Sequence, residues 1–234
     1  MNAPTPENDV ERLAALKEYH ILDTEAEQSY DDITALASHI CRVPITMISL
    51  VDKSRQWFKS KVGVEQRETP REVAFCAHAI LQQEPLVVRD AQKDRRFSDS
   101  ALVTGEPHIR FYAGFPLVNA EGLALGTLCV VDRKPRQISP AQSKAMYALA
   151  RQVMALLEAR RVLARLADAL EHVRTLQGLL PICAWCKRVR DDEGYWGQIE
   201  AYFHKNTGIG FTHGICPECR KKVRPDSAEP EGHA

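Results

Sequence analysis

The sequence has no surplus of either charge: Lys+Arg and Asp+Glu each number 31, which leaves a formal net charge of +0. A protein whose main partner is a polyanion or an anionic lipid surface usually carries a basic excess, so nucleic acid is disfavoured as a partner. No run approaches the roughly 20 apolar residues of a membrane span, and Met1 to Asp9 has no basic stretch followed by an apolar one. These absences predict a cytoplasmic protein with no membrane partner. There is also no bias toward low complexity. Apolar residues make up 44% and charged residues 26%, which excludes wholesale disorder and collagen-like repeats. Seven cysteines are an odd number for a closed disulfide framework, and four of them form two C-x-x-C pairs near the C-terminus.

What is present is enough chain, 234 residues, for one sizeable core and a small module. A lead-in over residues 1–9 precedes a helix at Val10–Tyr19. A second helix follows, in which Thr24 and Glu27 have capping-box spacing and Tyr30, Ile33, Leu36 and Ile40 recur on one face. Pro44 marks a change to extended chain. Ile45–Val51 and Gln56–Val62 read as a hairpin about Asp52-Lys53-Ser54, and alternation pairs Trp57 with Lys59 and Lys61 on one face, opposite Phe58, Ser60 and Val62. Val73–Gln82 reads as a helix, Leu86–Val88 as a short strand, and Phe111–Val118 with Leu123–Val131 as a second hairpin. The pattern predicts an α+β fold: one antiparallel sheet with helices on one face, the other face free to form a pocket.

Ser139-Pro140 opens a helical stretch that runs to Gln177 without internal Pro or Gly. Its apolar positions step as Leu149, Val153, Leu156 and then Leu163, Leu166, Leu170, Val173, with a phase change near Arg160. The first half suits packing on its own domain. Arg160 to Gln177, with a narrow apolar stripe, suits a coiled-coil seam, and residues 141–177 are the expected homodimer contact.

Seven segments, in order, carry a family resemblance. They are Glu11 to Leu16 with Ile21-Leu22-Asp23-Thr24, Val43-Pro44-Ile45, Ser49-Leu50-Val51-Asp52, Arg55 to Ser60, Phe75-Cys76-Ala77-His78-Ala79-Ile80, Phe111 to Leu117, and Gly126 to Asp132. Over about Val10 to Arg161 the chain resembles the GAF domains of bacterial sensory proteins. The resemblance implies a small-molecule pocket on one side of the sheet; such domains bind ligands as different as cyclic nucleotides, tetrapyrroles, haem and small metabolites. The candidate ligand-binding residues are Trp57, Phe75, Cys76, His78, Arg110 and Tyr112, since apolar walls with a few polar handles suit a ligand. The alternative is that the aromatics are core residues and His78 a satisfied helix residue. Bilin attachment through Cys76 is disfavoured because the phytochrome-type motif is missing. Reduction of methionine sulfoxide, which some GAF domains perform, needs a resolving thiol. Cys76 is the only cysteine between Cys41 and Cys129, and the loop before Phe111 has none.

Past Gly178-Leu179-Leu180-Pro181, Cys183-Ala184-Trp185-Cys186 and Cys216-Pro217-Glu218-Cys219 supply two knuckles. Four thiolates suit a structural Zn²⁺, so Cys183, Cys186, Cys216 and Cys219 are the expected ligands of one ion. Trp196, Ile199 and Phe203 fall on one face of an intervening helix and suit a mini-core. Redox dithiols remain an alternative, while Lys187 and Arg220 stand where covalent haem attachment needs His. The stretch from Leu179 to Val223 resembles a cysteine-containing tail found behind PAS, GAF and receiver domains. Lys187, Arg188, Arg190, Arg220, Lys221, Lys222 and Arg224 flank the knuckles, and offsetting the −2 of a four-thiolate zinc site accounts for them better than phosphate binding does.

The predicted organisation is therefore a lead-in (1–9), a GAF sensory domain (10–140), a connecting helix (141–177), a four-cysteine zinc module (178–224) and a disordered tail (225–234). With no kinase, cyclase or phosphodiesterase signature, the expected function is a non-catalytic sensor. In this reading a small ligand or redox state in the pocket acts through a dimeric helix on the C-terminal module and a protein signalling partner. A zinc-dependent nucleic-acid-binding regulator and a thiol enzyme using Cys76 are the competing readings.

Overall fold

Two helices, α1 (Asp9–Glu18) and α2 (Gln28–Cys41), lead into the hairpin β1 (Ile45–Val51) and β2 (Arg55–Val62). A short strand β3 (Glu68–Pro70), helix α3 (Phe75–Ala79), strand β4 (Leu86–Val88) and helix α4 (Ala101–Thr104) follow. The hairpin β5 (Phe111–Val118) and β6 (Ala124–Asp132) then precedes the 38-residue α5 (Pro140–Gln177). The computed structural model describes residues 3–177, 180–191 and 193–223, with the side chains of 172–177 outside the description. The expected tail at 225–234 and the side chain of Val173 therefore lie outside the described residues. The chain divides into two compact units, residues 1–169 and 170–234.

In the first unit the six strands form one antiparallel sheet in the order β3-β2-β1-β6-β5-β4. Alternation sorts their side chains into two cores. Ile48, Leu50, Phe111, Phe115, Leu128 and Val130 point to one face, where Leu16, Tyr19, Tyr30, Ile33, Ala37, Met146, Val153 and Leu157 from α1, α2 and α5 cover them. Met47, Val51, Phe58, Tyr112, Cys129 and Val131 point to the other. Every residue of β1 and β6 is buried, the signature of strands covered on both faces. The second face does carry a cavity, as expected, but α3, α4 and their connections also build a second core on it.

Three local expectations change. Thr24 does not cap α2; its hydroxyl donates to the Ile21 carbonyl at 2.8 Å and accepts from Lys59 at 2.9 Å. The buried stripe of α2 is Tyr30, Ile33, Thr34, Ala37 and Cys41, while Leu36 is 51% exposed. A bulge at Ile48/Ser49 turns Ser60 toward Thr34 and Asp31, so it shares the helical face with Lys59 rather than the side of Phe58.

The start of α5 is a reciprocal cap: the Gln142 N–H donates to Ser139 Oγ and the Ser139 N–H to Gln142 Oε1. Its first half buries Met146, Ala150, Val153 and Leu157, and Arg160 and Arg165 pair with Glu27 and Glu18 of the same unit. Beyond these, Leu163 and Leu166 are more than half exposed. In the second unit β7 (Val189–Arg190) and β8 (Trp196–Gly197) pair, followed by α6 (Ile199–Thr207) and α7 (Pro217–Val223). Among its described residues Val189 is buried and Phe203 is half-buried against Tyr202 and Phe211, while Trp196 and Ile199 are 47% and 38% exposed, so the expected mini-core is not sealed.

Candidate functional site

Between the second face of the sheet and the α3–α4 connections lies a cavity of about 690 Å³. Its walls are mostly apolar: Ile45 and Met47 of β1, Phe58 of β2, Phe75 of α3, Ile109, Tyr112 and Val131. Apart from Ile109, which precedes β5, these residues face inward because each sits on the inward half of its strand's alternation or on the short α3. Glu65, Glu106 and Arg133, also lining it, are exposed and give the opening its charge.

Two oxygens break the apolar wall. Gln56, 4% exposed, and its cross-strand partner Thr69 both line the cavity, and the buried Gln56 Oε1 and Thr69 Oγ1 have no hydrogen-bond partner. Buried polar atoms are almost always paired, so an amide oxygen and a hydroxyl left unpaired side by side in wall residues are the groups there that a polar ligand could engage.

Of the six pocket candidates, the fold brings Phe75, Cys76 and Tyr112 together in this wall. Phe75 stacks on Phe97 with ring centroids 4.2 Å apart and leans on Tyr112 at 5.2 Å. The Tyr112 hydroxyl donates to Cys76 Sγ at 3.2 Å. Gly114 makes room for it, since a Cβ there would lie 2.1 Å from the Tyr112 oxygen. The other three lie elsewhere. Trp57 packs in the helix-side core. His78 meets Phe97 edge-on at 4.8 Å beside Arg96, and burial holds its imidazole below the ordinary value. Arg110 makes a bidentate pair with Asp90, at 2.8 and 2.9 Å.

Gln56 and Thr69 were not singled out from the sequence. The signal was weak: a Gln and a Thr become neighbours only through the β2–β3 pairing, and the three-residue β3 carries too little pattern to read. Cys129 was also missed. Its thiol lies 3.9 Å from that of Cys76, so the absence of a nearby cysteine in sequence does not hold in space.

On the helical face of the same sheet the buried charged side chains are tied to partners, although Arg12 Nη2 and Thr46 Oγ1 are buried there without one. The Lys59 ammonium, with a fully buried side chain, donates to Glu27 at 2.6 Å, the Glu25 carbonyl at 2.7 Å and Thr24. Arg12, 1% exposed, pairs with Asp9 at 2.8 Å and donates to the Val51 carbonyl, and Asp9 also holds Arg71 at 2.9 Å. Burial pushes the Asp9 carboxyl up, but Arg71 and Arg12 together hold it below its ordinary 3.8.

In the second unit each C-x-x-C is a formed knuckle. Lys187 takes a left-handed φ of 60°, its N–H donates to the Cys183 carbonyl, and the Cys186 N–H is directed at Cys183 Sγ, 3.5 Å away. The Cys219 N–H meets Cys216 Sγ at 3.5 Å at the start of α7. Those amides favour the thiolates of Cys183 and Cys216, lowering both pKa values. Among the described residues, however, no group of three or more His, Cys, Asp or Glu is close enough to hold a metal ion. The two C-x-x-C pairs therefore stand as separate knuckles, and the expected four-cysteine centre is not assembled among the described residues.

The GAF domain family model matches residues 25–157. A cyclic di-GMP phosphodiesterase of Pseudomonas aeruginosa is 47% identical over 133 residues, which are 57% of this chain and 23% of that protein. The chain thus spans less than a quarter of that relative's length. The relative carries the name of an enzyme, which overturns the expectation of a non-catalytic chain. Two solved structures share the fold. The GAF domain of Thermosynechococcus elongatus PixJ has TM-score 0.51 and 18% identity, covering 68% of this chain and 96% of that one. That of an Acinetobacter phosphoenolpyruvate-protein phosphotransferase has TM-score 0.50 and 15% identity, covering 67% and 96%. Among the described residues no helix is long and apolar enough to cross a membrane.

Proposed function

The chain belongs to the GAF domain family, and from that premise we propose that it senses a small molecule in the 690 Å³ cavity and governs a cyclic di-GMP phosphodiesterase activity. The observation that carries the sensing role is the pair of buried unpartnered oxygens, Gln56 Oε1 and Thr69 Oγ1, in an otherwise apolar wall. A ligand that fits them has an apolar or aromatic body and N–H or O–H donors on one edge. The link to cyclic di-GMP turnover rests on the 47% identical relative.

Occupancy is relayed through α5. Two copies pair along residues 141–177, with Leu163, Leu166 and Leu170, each more than half exposed, as the seam. One Zn²⁺ drawn between the two knuckles by Cys183, Cys186, Cys216 and Cys219 would close the second unit, since metal binding and folding are coupled in small modules. That module then meets a protein signalling partner.

Native mass spectrometry of the chain purified from its own host reads ligand, metal and oligomer together. A retained small molecule lost on Gln56→Leu, one zinc per chain and a dimer are expected. The enzymatic link is measured as cyclic di-GMP hydrolysis by the purified chain, with and without the retained molecule. Hydrolysis that does not respond to the molecule would separate sensing from catalysis, and no retained molecule would sink the sensing role.

A further inference from the structure

Cys76 and Cys129 are 53 residues apart in sequence and 3.9 Å apart at sulfur, both essentially excluded from solvent at 1% and 0% exposure. They come from different layers. Cys129 sits on the central strand β6, opposite Met47 of β1 and Gly114 of β5, and Cys76 sits on α3 above it. The two thiols are not equivalent. Cys76 lines the cavity, whereas Cys129 does not and lies behind it. Tyr112, held in position over Gly114, donates to the Cys76 sulfur.

We propose that Cys76 and Cys129 form a hydroperoxide-reactive dithiol, attacked through the cavity at Cys76 and resolved by Cys129 into a disulfide that shifts α3. Cys76 as thiolate attacks the distal peroxide oxygen. The O–O bond breaks, Cys76 becomes a sulfenic acid, and the alkoxide or hydroxide leaves with the proton released by the thiol. Cys129 sulfur then attacks Cys76 sulfur, the S–O bond breaks, and water leaves with the Cys129 proton. Two thiols and one hydroperoxide thus yield one disulfide, one alcohol or water, and one water.

The electrostatics support that order. Burial pushes the Cys76 thiol up, but hydrogen bonds from Cys129, Ser49, Thr127 and Tyr112 outweigh it and favour the thiolate. With one negative charge on the pair, Cys129 is raised well above its ordinary value by Cys76 and by burial, and so keeps its proton until the second step. A disulfide bond of about 2.05 Å requires the sulfurs to close by roughly 2 Å. β6 is fixed between β1 and β5, so α3 must make that movement, taking Phe75 and Ala74 of the cavity wall with it. Oxidation therefore reshapes the ligand cavity. The inference needs the cavity to admit a peroxide and nothing of what else it binds, so a chain that retains no ligand leaves the following outcome unaffected.

The test is peptide-resolved thiol mapping of the full chain exposed to hydrogen peroxide or tert-butyl hydroperoxide. A cross-linked pair of peptides holding Cys76 and Cys129 is expected, with reaction of the bulkier reagent identifying the cavity as the route. Cys129→Ala should stop at one added oxygen on Cys76, captured by dimedone, and Cys76→Ala should leave Cys129 reduced. Tyr112→Phe should slow cross-linking severalfold, because it removes one donor to the Cys76 thiolate. Peroxide left over at the end of each exposure, titrated directly, reports that the dose was sufficient. If wild-type Cys76 and Cys129 both stay alkylatable with peroxide still in excess, or link only to other cysteines, the proposal fails without reference to any variant.

Discussion

The two faces of the central sheet are built from the same strands yet hold their polar groups differently, even though Arg12 Nη2 and Thr46 Oγ1 on the helical face are also buried without a partner. On the helical face, Lys59, Arg12 and Asp9 are buried, and each is tied to charged or carbonyl partners at 2.6 to 2.9 Å. On the cavity face, Gln56 and Thr69 present oxygens to nothing in the protein, and two thiols lie within reach of each other. The difference separates two tasks. The first face uses its charged residues to fix α1 and α2 to the sheet; the second leaves two unpaired oxygens and the Cys76 thiol in residues that wall a space where a molecule fits.

That contrast is broken most severely at Asp9. Asp9→Asn leaves Arg12 and Arg71 buried against a neutral amide, and the loss should be about 3 kcal/mol in chemical denaturation. The deficit is itself pH-dependent. Because Arg71 and Arg12 lower the Asp9 pKa, its contribution is present above the unfolded value near 3.8 and is lost as pH falls through the still lower folded value. Wild type and variant should therefore converge below pH 3.8, and a constant gap down to acid would contradict the pairing.

Next in size is Lys59→Met, which removes the donor shared by Glu27, Glu25 and Thr24 and should cost about 2 kcal/mol. The equivalent change on the other face has the opposite sign. Gln56→Leu and Thr69→Val delete acceptors without partners, so stability should hold or rise by up to about 1 kcal/mol while retained ligand is lost. Equal destabilisation on both faces, read by melting temperature, would mean the cavity oxygens are structural. Smallest is Leu166→Glu on the exposed part of α5, expected to change stability by less than about 0.5 kcal/mol while shifting the proposed dimer to monomer in sedimentation.

Much of this organisation is written locally in the chain. The strands β1, β2, β5 and β6 follow from alternation and β-branched runs, and α5 from a long stretch without Pro or Gly opened by Ser139. The position of Leu36, the role of Thr24 and the direction of Ser60 were misread. Each depends on what the neighbouring element presents: the path of α2, the ammonium of Lys59 and a bulge that adds one residue to β2. The catalytic question was misjudged for a different reason. The motifs of this stretch concern only the residues it contains, whereas the name of the 47% identical relative describes a protein more than four times as long as the matched stretch.

For the candidate site the division is sharper. Phe75, Cys76 and Tyr112 could be named as wall residues because residue type and motif order are properties of the sequence. The distance between Cys76 and Cys129 is not such a property. It follows from a helix crossing over the middle of a six-stranded sheet, which brings together residues that any count along the chain keeps apart. The same holds for Gln56 and Thr69, joined only by strand register. Local spacing determines which residues share a face; tertiary packing alone decides which groups meet across two layers, and there the reactive and unpaired atoms of this protein are found.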